Sequence, residues 1–271
     1  MESYAGKSVV ITGGATGIGF CLAKRFGERG ARIMVAEMRQ ERIDQAVETL
    51  RRLDIEACGA ICDVRERDQV EALADQAWAD LGKVDVIVNN AGIAGLRTSV
   101  IEAKREDIDA VLETNLFGVW NGTSVFGARL LEQGSPAGIY NVGSENSFFH
   151  ATTHMSPYVV SKFGVRALTE ALREEVPDFV HVALIVPGWV RSELGPHMDP
   201  GMDTDRYSEI VIEQLEAGAF YVVSHAFNTV RIDERMNEVR AAYERYAPRY
   251  DRDHEFDVRS VIAKMQQGEA D

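Results

Sequence analysis

The chain has 271 residues, 45% of them hydrophobic, and a formal net charge of −14 at pH 7. Its length suits one large α/β domain, and the apolar fraction is enough to fill a single core. The acidic surplus argues against nucleic acid or an acidic membrane surface as a partner, because both attract an excess of Lys and Arg, and it leaves small-molecule substrates open.

No run of about 18 apolar residues occurs, and the residues after Met1 lack the basic start and apolar core of a signal peptide. A cytoplasmic location is therefore expected, without membrane contact. The three cysteines, Cys21, Cys58 and Cys62, form no CxxC pair. They indicate neither a disulfide framework nor a zinc site, and no metal site is predicted.

Short apolar runs alternate with amphipathic stretches as far as Val186, a pattern typical of βαβ units. The predicted strands are Ser8–Thr12, Arg32–Ala36, Ala57–Ile61, Val84–Val88, Gly138–Val142 and Val180–Val186. The predicted helices are Ile18–Arg29, Gln40–Leu53, Arg67–Leu81, Arg105–Leu131 and Pro157–Val176. Right-handed crossovers then give an α/β fold, a Rossmann-like doubly wound parallel sheet of about seven strands with helices on both faces.

Beyond Pro187 the pattern changes. The predicted elements are a mobile loop over Glu193–Asp205, a helix over Tyr207–Glu216, a strand over Ala219–Val223, a helix from about Val230 to Tyr246, and a tail over Ala247–Asp271. Residues 1–225 are expected to form one domain that includes a substrate loop at about 193–217. Residues 226–271 are expected to form a C-terminal helix and tail packed on that domain or on a partner subunit.

The first strand runs directly into the glycine-rich stretch Thr12–Gly19, and a helix follows. Glycines at such a junction allow a tight turn and close approach of a pyrophosphate, whose charge the helix N-terminus stabilises. The spacing, Gly-x3-Gly-x-Gly, departs from the common Gly-x-Gly-x-x-Gly, and similar turns also occur for packing alone. Its position at the first strand and first helix favours a dinucleotide site.

Glu37 ends the second strand, about twenty residues past the glycine loop. An acidic side chain at this position bonds the adenine ribose hydroxyls and repels a 2′-phosphate, which favours NAD over NADP. Arg39, two positions later, is evidence in the other direction, since it could reach a phosphate. Thr16 rather than a basic residue in the glycine loop again favours NAD. Glu37 could also be an ordinary solvated carboxylate.

Tyr158 and Lys162 are four positions apart in a segment where Ser156 is predicted to cap a helix and Pro157 to be its first residue. A phenol with a pKa of about 10 exchanges protons poorly at neutral pH. A cation about 6 Å away lowers that pKa by roughly two units, and a second cation, such as an oxidised nicotinamide, would bring it close to neutral. A chance pair on a surface helix is the alternative.

These motifs occur in an order that resembles a classical short-chain dehydrogenase/reductase, over about residues 5–225. The resemblance is carried by Thr12–Gly19, Asp63, Asn89–Gly92, Asn115, Ser144, Tyr158, Lys162 and Pro187–Ser192. It implies that Tyr158 is the general acid/base, that Lys162 lowers its pKa and holds the nicotinamide ribose, and that Ser144 donates a hydrogen bond to the substrate oxygen. It implies that Asn115 holds a water linking Lys162 to solvent.

For the cofactor, the resemblance implies that Asp63 contacts adenine, that Asn90 and Gly92 shape the floor of the site, and that Ser192 binds the carboxamide in place of the usual Thr. Asn90 is as well explained by a structural role. The cofactor contacts expected in all are Gly13, Thr16, Gly17, Ile18, Gly19, Glu37, Asp63, Val64, Asn90, Ala91, Gly92, Tyr158, Lys162, Pro187, Gly188, Val190 and Ser192.

Ser144 and Tyr158 are fourteen positions apart, where thirteen is the commoner spacing in the family. The intervening loop therefore has an extra residue, and Ser147 competes for the role of the catalytic serine. The stretch Asn141–Ser144 matches the family's strand-end pattern better, which favours Ser144.

The expected substrate pocket is aromatic. Its candidate residues are Phe148, Phe149, His150, His154, Met155 and Trp189, although these could instead pack on the chain's own helices. The C-terminal extension loosely resembles that of bacterial aryl-alcohol Cα-dehydrogenases, which act on lignin-derived ethers. A bulky or aromatic secondary alcohol is therefore expected, with steroid-like or terpenoid alcohols as competitors.

The sequence thus predicts an NAD-dependent alcohol dehydrogenase or ketone reductase, which the family resemblance implies is a homodimer or homotetramer. An NADP-preferring carbonyl reductase is one alternative. A non-catalytic NAD-binding regulatory protein is another. The presence of Asn115, Ser144, Tyr158 and Lys162 argues against the regulator, which would be free to lose them.

Overall fold

The computed structural model describes residues 3–192 and 200–266. The chain divides into two units, Met1–Ala226 and Phe227–Asp271. The first unit contains a seven-stranded parallel sheet in the order β3-β2-β1-β4-β5-β6-β7. Helices cover both faces of this sheet. The predicted Rossmann-like doubly wound fold is confirmed.

The strands are short, and the central strands β1, β4 and β5 are fully buried, as a parallel sheet covered on both faces requires. They are β1 Ser8–Thr12, β2 Arg32–Glu37, β3 Ala57–Ile61, β4 Val86–Asn89, β5 Ala137–Val142, β6 Val180–Val186 and β7 Tyr221–Val223. β4 begins two residues later than predicted and ends one residue later. Asn89 is consequently the last residue of that strand.

The helices of the first unit are α1 Gly17–Glu28, α2 Gln40–Arg52, α3 Arg67–Leu81, α4 Arg105–Leu112, α5 Gly118–Gln133, α6 Ser156–Glu175 and α7 Thr204–Glu216. On one face, Phe26 of α1 and Leu215 of α7 belong to the same core as Ile11 of β1. On the other face, Phe126 of α5 packs with Ile87 of β4. Both cores are apolar, and the cleft described below lies at the carboxyl ends of the strands.

The single helix predicted over Arg105–Leu131 is wrong in one respect. A π-helical turn, Glu113–Phe117, separates α4 from α5. A turn of this kind widens the helix locally, and such turns often accompany functional sites. It contains Asn115, which is fully buried. The apolar periodicity continues through the turn, so the sequence pattern does not reveal it.

The start of α6 also differs from the prediction. The helix begins at Ser156, and Met155 occupies the N-cap position without a side-chain cap. Pro157 lies in the first turn, as predicted, where its missing N–H costs no helical hydrogen bond. Val176, the residue before Pro177, is extended, which ends the helix one residue earlier than predicted.

The second unit contains α8 Asn228–Tyr246, a 3₁₀ turn Asp253–Phe256, and α9 Val258–Gln266. The sequence predicted α8 but described the residues of α9 as tail. Residues 193–199 of the predicted mobile loop lie outside the described residues. Within the part of the chain that the structure describes, no helix is both long and apolar enough to cross a membrane.

Candidate active site

A cleft of about 400 Å³ lies at the carboxyl ends of the strands, where doubly wound sheets bind their ligands. The predicted site residues that line it are Gly13, Thr16, Gly17, Ile18, Gly19, Glu37, Asp63, Val64, Asn90, Ala91, Gly92, Tyr158, Lys162, Pro187 and Ser192. Residues that the prediction did not include also line it: Met38, Arg39, Arg42, Cys62, Ile93, Ala94, Thr114, Val142 and Gly143. Most of these are chain neighbours of predicted residues.

The glycine loop is closely packed from below. Gly13 and Gly17 have φ of +60° and +55°, values that favour glycine. A Cβ on Gly13 would lie 2.8 Å from the Ala91 Cα, and one on Gly19 would lie 2.2 Å from the Gly13 oxygen. α1 starts at Gly17 without a side-chain cap. Its first N–H groups therefore suit an anion such as a pyrophosphate.

Asn90 holds this loop in place. Its Nδ2 donates to the backbone oxygens of Thr12 and Gly13, at 3.0 Å each. The Thr12 hydroxyl in turn accepts from the backbone N–H groups of Asn90 and Ala91, at 3.0 and 3.2 Å. These bonds join the carboxyl ends of β1 and β4. They support the structural role that the sequence had left open for Asn90.

Glu37 ends β2 with 13% of its side chain exposed, and its Oε1 lies 3.4 Å from Nε of Arg39. The Arg39 side chain is 60% exposed, and Arg42 also lines this end of the cleft. Glu37 and two arginines thus share the place expected for the adenine ribose. The carboxylate disfavours a 2′-phosphate there, whereas the arginines attract one.

Asp63, two residues past the end of β3, is hydrogen-bonded by Arg65. Its carboxylate accepts from the Arg65 backbone N–H at 3.0 Å and from the guanidinium Nε at 2.9 Å. The hydrogen bonds from Arg65 hold the pKa of Asp63 below its usual value. The carboxylate is therefore ionised near neutral pH and fixed at the cleft wall.

Tyr158 and Lys162 are neighbours on α6, with the lysine Nζ 5.7 Å from the centroid of the tyrosine ring. Lys162 is 4% exposed, its Nζ donates to the Val142 oxygen at 2.8 Å, and burial lowers its pKa to about 8. The pKa of Tyr158 is raised, because burial outweighs the lowering effect of a hydrogen bond from Ser144. Burial is the largest cause of this shift, and the lowering of the Tyr158 pKa by Lys162 together with an oxidised nicotinamide stays a prediction.

Ser144 and Ser147, the two candidates for the oxygen donor, make different contacts. The Ser144 hydroxyl oxygen accepts from the Asn146 backbone N–H at 3.2 Å, and the side-chain amide lies 3.5 Å away. Interaction with the Ser144 side chain lowers the pKa of the Tyr158 phenol. Ser147 is fully buried, and its hydroxyl donates to the Lys162 oxygen at 2.8 Å. Ser147 therefore does not serve as the oxygen donor in this arrangement.

Asn115 connects the loop after β4 to helix α6. Its Oδ1 accepts from the Ile93 N–H at 2.8 Å, and its Nδ2 donates to the Ile93 oxygen at 2.8 Å and to the Ser161 hydroxyl at 3.3 Å. Ser161 in turn donates to the Tyr158 backbone carbonyl oxygen at 2.7 Å. A Cβ on Gly92 would lie 3.3 Å from the Asn115 Oδ1, so glycine is favoured at that position.

Some predicted residues do not line the cleft. Val190 is 1% exposed and belongs to the apolar core. Gly188 lies against His225, since a Cβ there would be 2.5 Å from that ring. Phe148 packs under the Arg166 guanidinium, 4.4 Å from its ring centroid, and against Tyr221. For Phe148 the alternative of packing on the chain's own helix is therefore the correct one.

The chain matches a known family over most of its length. The family model described as short chain dehydrogenase covers residues 7–202. A 3alpha-hydroxysteroid dehydrogenase of Mediterraneibacter gnavus is 34% identical over 191 residues, which are 69% of this chain and 75% of that protein. A C alpha-dehydrogenase of Sphingobium sp. is 30% identical over 195 residues, which are 72% of this chain and 64% of that protein.

A solved structure has the same fold. It is a short chain dehydrogenase/reductase from Burkholderia phymatum, in complex with NAD, with a TM-score of 0.83 and 26% identity. The match covers 89% of this chain and 97% of that chain.

Proposed function

The chain belongs to the short chain dehydrogenase family, a family of oxidoreductases, and on that premise we propose that it interconverts a bulky or aromatic secondary alcohol and its ketone with NAD. One observation carries this proposal. Tyr158 and Lys162 line the same cleft as the glycine loop and Glu37, and Ser144 lies close enough to lower the pKa of the tyrosine. A proton carrier and a dinucleotide cradle therefore share one space.

The residues present fit a nicotinamide dinucleotide. The glycine loop and the N-terminus of α1 would hold its pyrophosphate, Glu37 its adenine ribose and Lys162 its nicotinamide ribose. When bound, NAD supplies the hydride acceptor, and the protein supplies position and a proton route. Gly13 and Gly19 keep the glycine loop in this conformation, because a side chain at either position would collide with the backbone beneath the loop.

Tyr158 would remove the hydroxyl proton of the alcohol, or donate it to the ketone in the reverse direction. Burial raises the pKa of this phenol, so phenolate formation depends on positive charge close by. Lys162 provides one such charge at 5.7 Å from the ring. Ser144 would donate its proton to the same substrate oxygen, which stabilises alkoxide character as charge develops. Asn115 would maintain the proton route from Lys162 to solvent.

An NADP-preferring carbonyl reductase is the second candidate. The observation that favours it is the pair Arg39 and Arg42, both of which line the adenosine end of the cleft. Glu37 favours NAD, since its carboxylate is 13% exposed and faces the position of a 2′-phosphate. Glu37 is more buried than Arg39. Its repulsion of a 2′-phosphate is therefore less screened by water than the attraction of that arginine.

The names of two similar proteins support this class of alcohol. One is a 3alpha-hydroxysteroid dehydrogenase and the other a C alpha-dehydrogenase. We extend that class to this chain. We also propose that the chain acts in the cytoplasm as a homodimer or homotetramer, since the exposed Trp120 of α5 and Val160 of α6 are apolar side chains that a second subunit would cover.

Reduction of NAD with a panel of aromatic, steroidal and alicyclic secondary alcohols tests the proposal. Turnover with bulky alcohols, and a higher kcat/KM with NAD than with NADP, is the expected result. NAD binding without turnover of any alcohol or ketone would overturn it and favour a regulatory protein. A higher kcat/KM with NADP would instead favour the carbonyl reductase.

A further inference from the structure

A short turn, Glu145–Ser147, connects the catalytic serine to the loop that precedes α6. Ser147 ends this turn and is fully buried. Its hydroxyl donates to the Lys162 backbone oxygen at 2.8 Å and accepts from the Ser144 backbone N–H at 3.1 Å. Both distances are those of ordinary, well-formed hydrogen bonds. One side chain therefore bridges the backbones of two proposed catalytic residues.

The two bridged segments have different origins in the fold. Ser144 follows β5, whereas Lys162 lies in the second turn of α6, and eleven residues, 145–155, separate Ser144 from the helix. Loops of this length leave considerable freedom to the segments they join. The bridge through Ser147 restricts this freedom of movement between Ser144 and Lys162, whose relative position matters in the proposed reaction.

Two further contacts make the bridge rigid. The Ser144 hydroxyl oxygen accepts from the Asn146 N–H at 3.2 Å, so Ser144 and Ser147 cap the turn reciprocally. Gly143 packs against the Ser147 hydroxyl, since a Cβ on Gly143 would lie 2.8 Å from the Ser147 Oγ. The orientation of the Ser144 side chain is thus defined by a turn whose last residue is anchored on the catalytic helix.

We propose that Ser147 is a positioning residue, whose hydroxyl fixes the Ser144 side chain relative to Tyr158 and Lys162. This inference rests on the proposed function, in which the serine and the tyrosine share one substrate oxygen. It concerns a residue that the sequence offered as a rival of Ser144. The structure assigns the two serines different tasks, with Ser144 as the oxygen donor and Ser147 as its anchor.

Ser147→Ala removes the bridge with little change in volume. The loss of one bridging hydroxyl is expected to lower kcat about fivefold to tenfold, while KM and the Kd for NAD change less than about twofold. Ser147→Thr keeps the hydroxyl and should recover most of the loss. Ser8→Ala is the matched control, because Ser8 is a fully buried serine at the opposite end of β1 and accepts from Arg32.

A second readout does not depend on turnover. Interaction with Ser144 lowers the pKa of Tyr158. Displacement of Ser144 in Ser147→Ala should therefore raise the pKa at which Tyr158 ionises. Ultraviolet difference spectra against the same chain with Tyr158→Phe isolate its signal. The three tyrosines Tyr4, Tyr140 and Tyr207 do not interfere, because burial raises their pKa values still further.

A lowered kcat together with a raised Tyr158 titration, both reversed in Ser147→Thr and absent in Ser8→Ala, supports the positioning role. A loss of thermal stability alone, equal in Ser147→Ala and Ser8→Ala, overturns it. If the unmodified chain turns over no substrate, the proposed function fails. The titration then still decides the role of Ser147, since an unchanged Tyr158 pKa in Ser147→Ala refutes it.

Discussion

Replacing Lys162 by Met should stabilise the fold while removing activity. Burial lowers the pKa of this lysine from 10.5 to about 8, and each unit corresponds to about 1.4 kcal/mol. The buried charge therefore costs about 3 kcal/mol at pH 7. The variant also loses the hydrogen bond from Nζ to the Val142 backbone oxygen. This loss offsets about 1.5 kcal/mol of the stability gained by removing the buried charge. The variant should gain about 2 kcal/mol, or about 4–8 °C in Tm.

The pH dependence of this gain has a definite sign. Below pH 8 the lysine is charged in both the folded and the unfolded chain, and the full cost of burial applies. Between pH 8 and 10.5 Lys162 is protonated in the unfolded chain and neutral in the folded chain. The free energy of unfolding of the unmodified chain therefore rises with pH over this window. The advantage of Lys162→Met should shrink over the same range.

Thermal and urea unfolding of both chains from pH 7 to pH 10.5 is the assay. Lys104→Met is the control, since Lys104 is exposed and its replacement removes a solvated charge. A small, pH-independent change is expected for that control. The reasoning is refuted if the Lys162→Met variant is less stable than the unmodified chain at pH 7. It is also refuted if the difference in stability between the two chains does not change with pH.

Two further substitutions follow from contacts in the cleft and the core. Glu37→Ala should narrow the ratio of NADP to NAD dissociation constants, because the repelling carboxylate is lost while Arg39 remains; fluorescence titration measures this ratio, and an unchanged value contradicts the ribose role. Gly122→Ala should lower stability by about 1–3 kcal/mol, since its Cβ would lie 1.9 Å from the Asn89 Oδ1. Gly127→Ala on the same helix meets Ile139 at 3.4 Å and should be tolerated, so equal losses in urea unfolding would count against this packing argument.

The sheet could be predicted because buried parallel strands leave continuous apolar runs. β1, β3 and β6 have the predicted bounds. β4 does not, because Val84 and Asp85 precede the ladder with β1, which starts at Val86. The helical breaks were harder to predict. The π turn that contains Asn115 leaves the apolar period intact, and the mixed acidic and aromatic composition of residues 247–266 concealed α9.

Much of the candidate site could be predicted because its residues directly follow strand ends, where chain order and position in the sheet coincide. Thr114 enters the cleft from the π turn, and no sequence signal places it there. Val190 has the same local context as Pro187 but belongs to the core. The direction of the Tyr158 pKa shift depends on burial, which the spacing of Tyr158 and Lys162 does not report.

Tyr158→Phe tests the central claim most directly, since it removes one oxygen atom and leaves the ring and α6 in place. NAD titration and alcohol turnover should be measured on the same preparation, together with a thermal unfolding curve to establish that the variant folds. The predicted result is a Kd for NAD within about twofold of the unmodified chain and a kcat lowered by at least about a hundredfold. Retention of kcat in the folded variant would contradict the assignment of Tyr158 as the proton carrier.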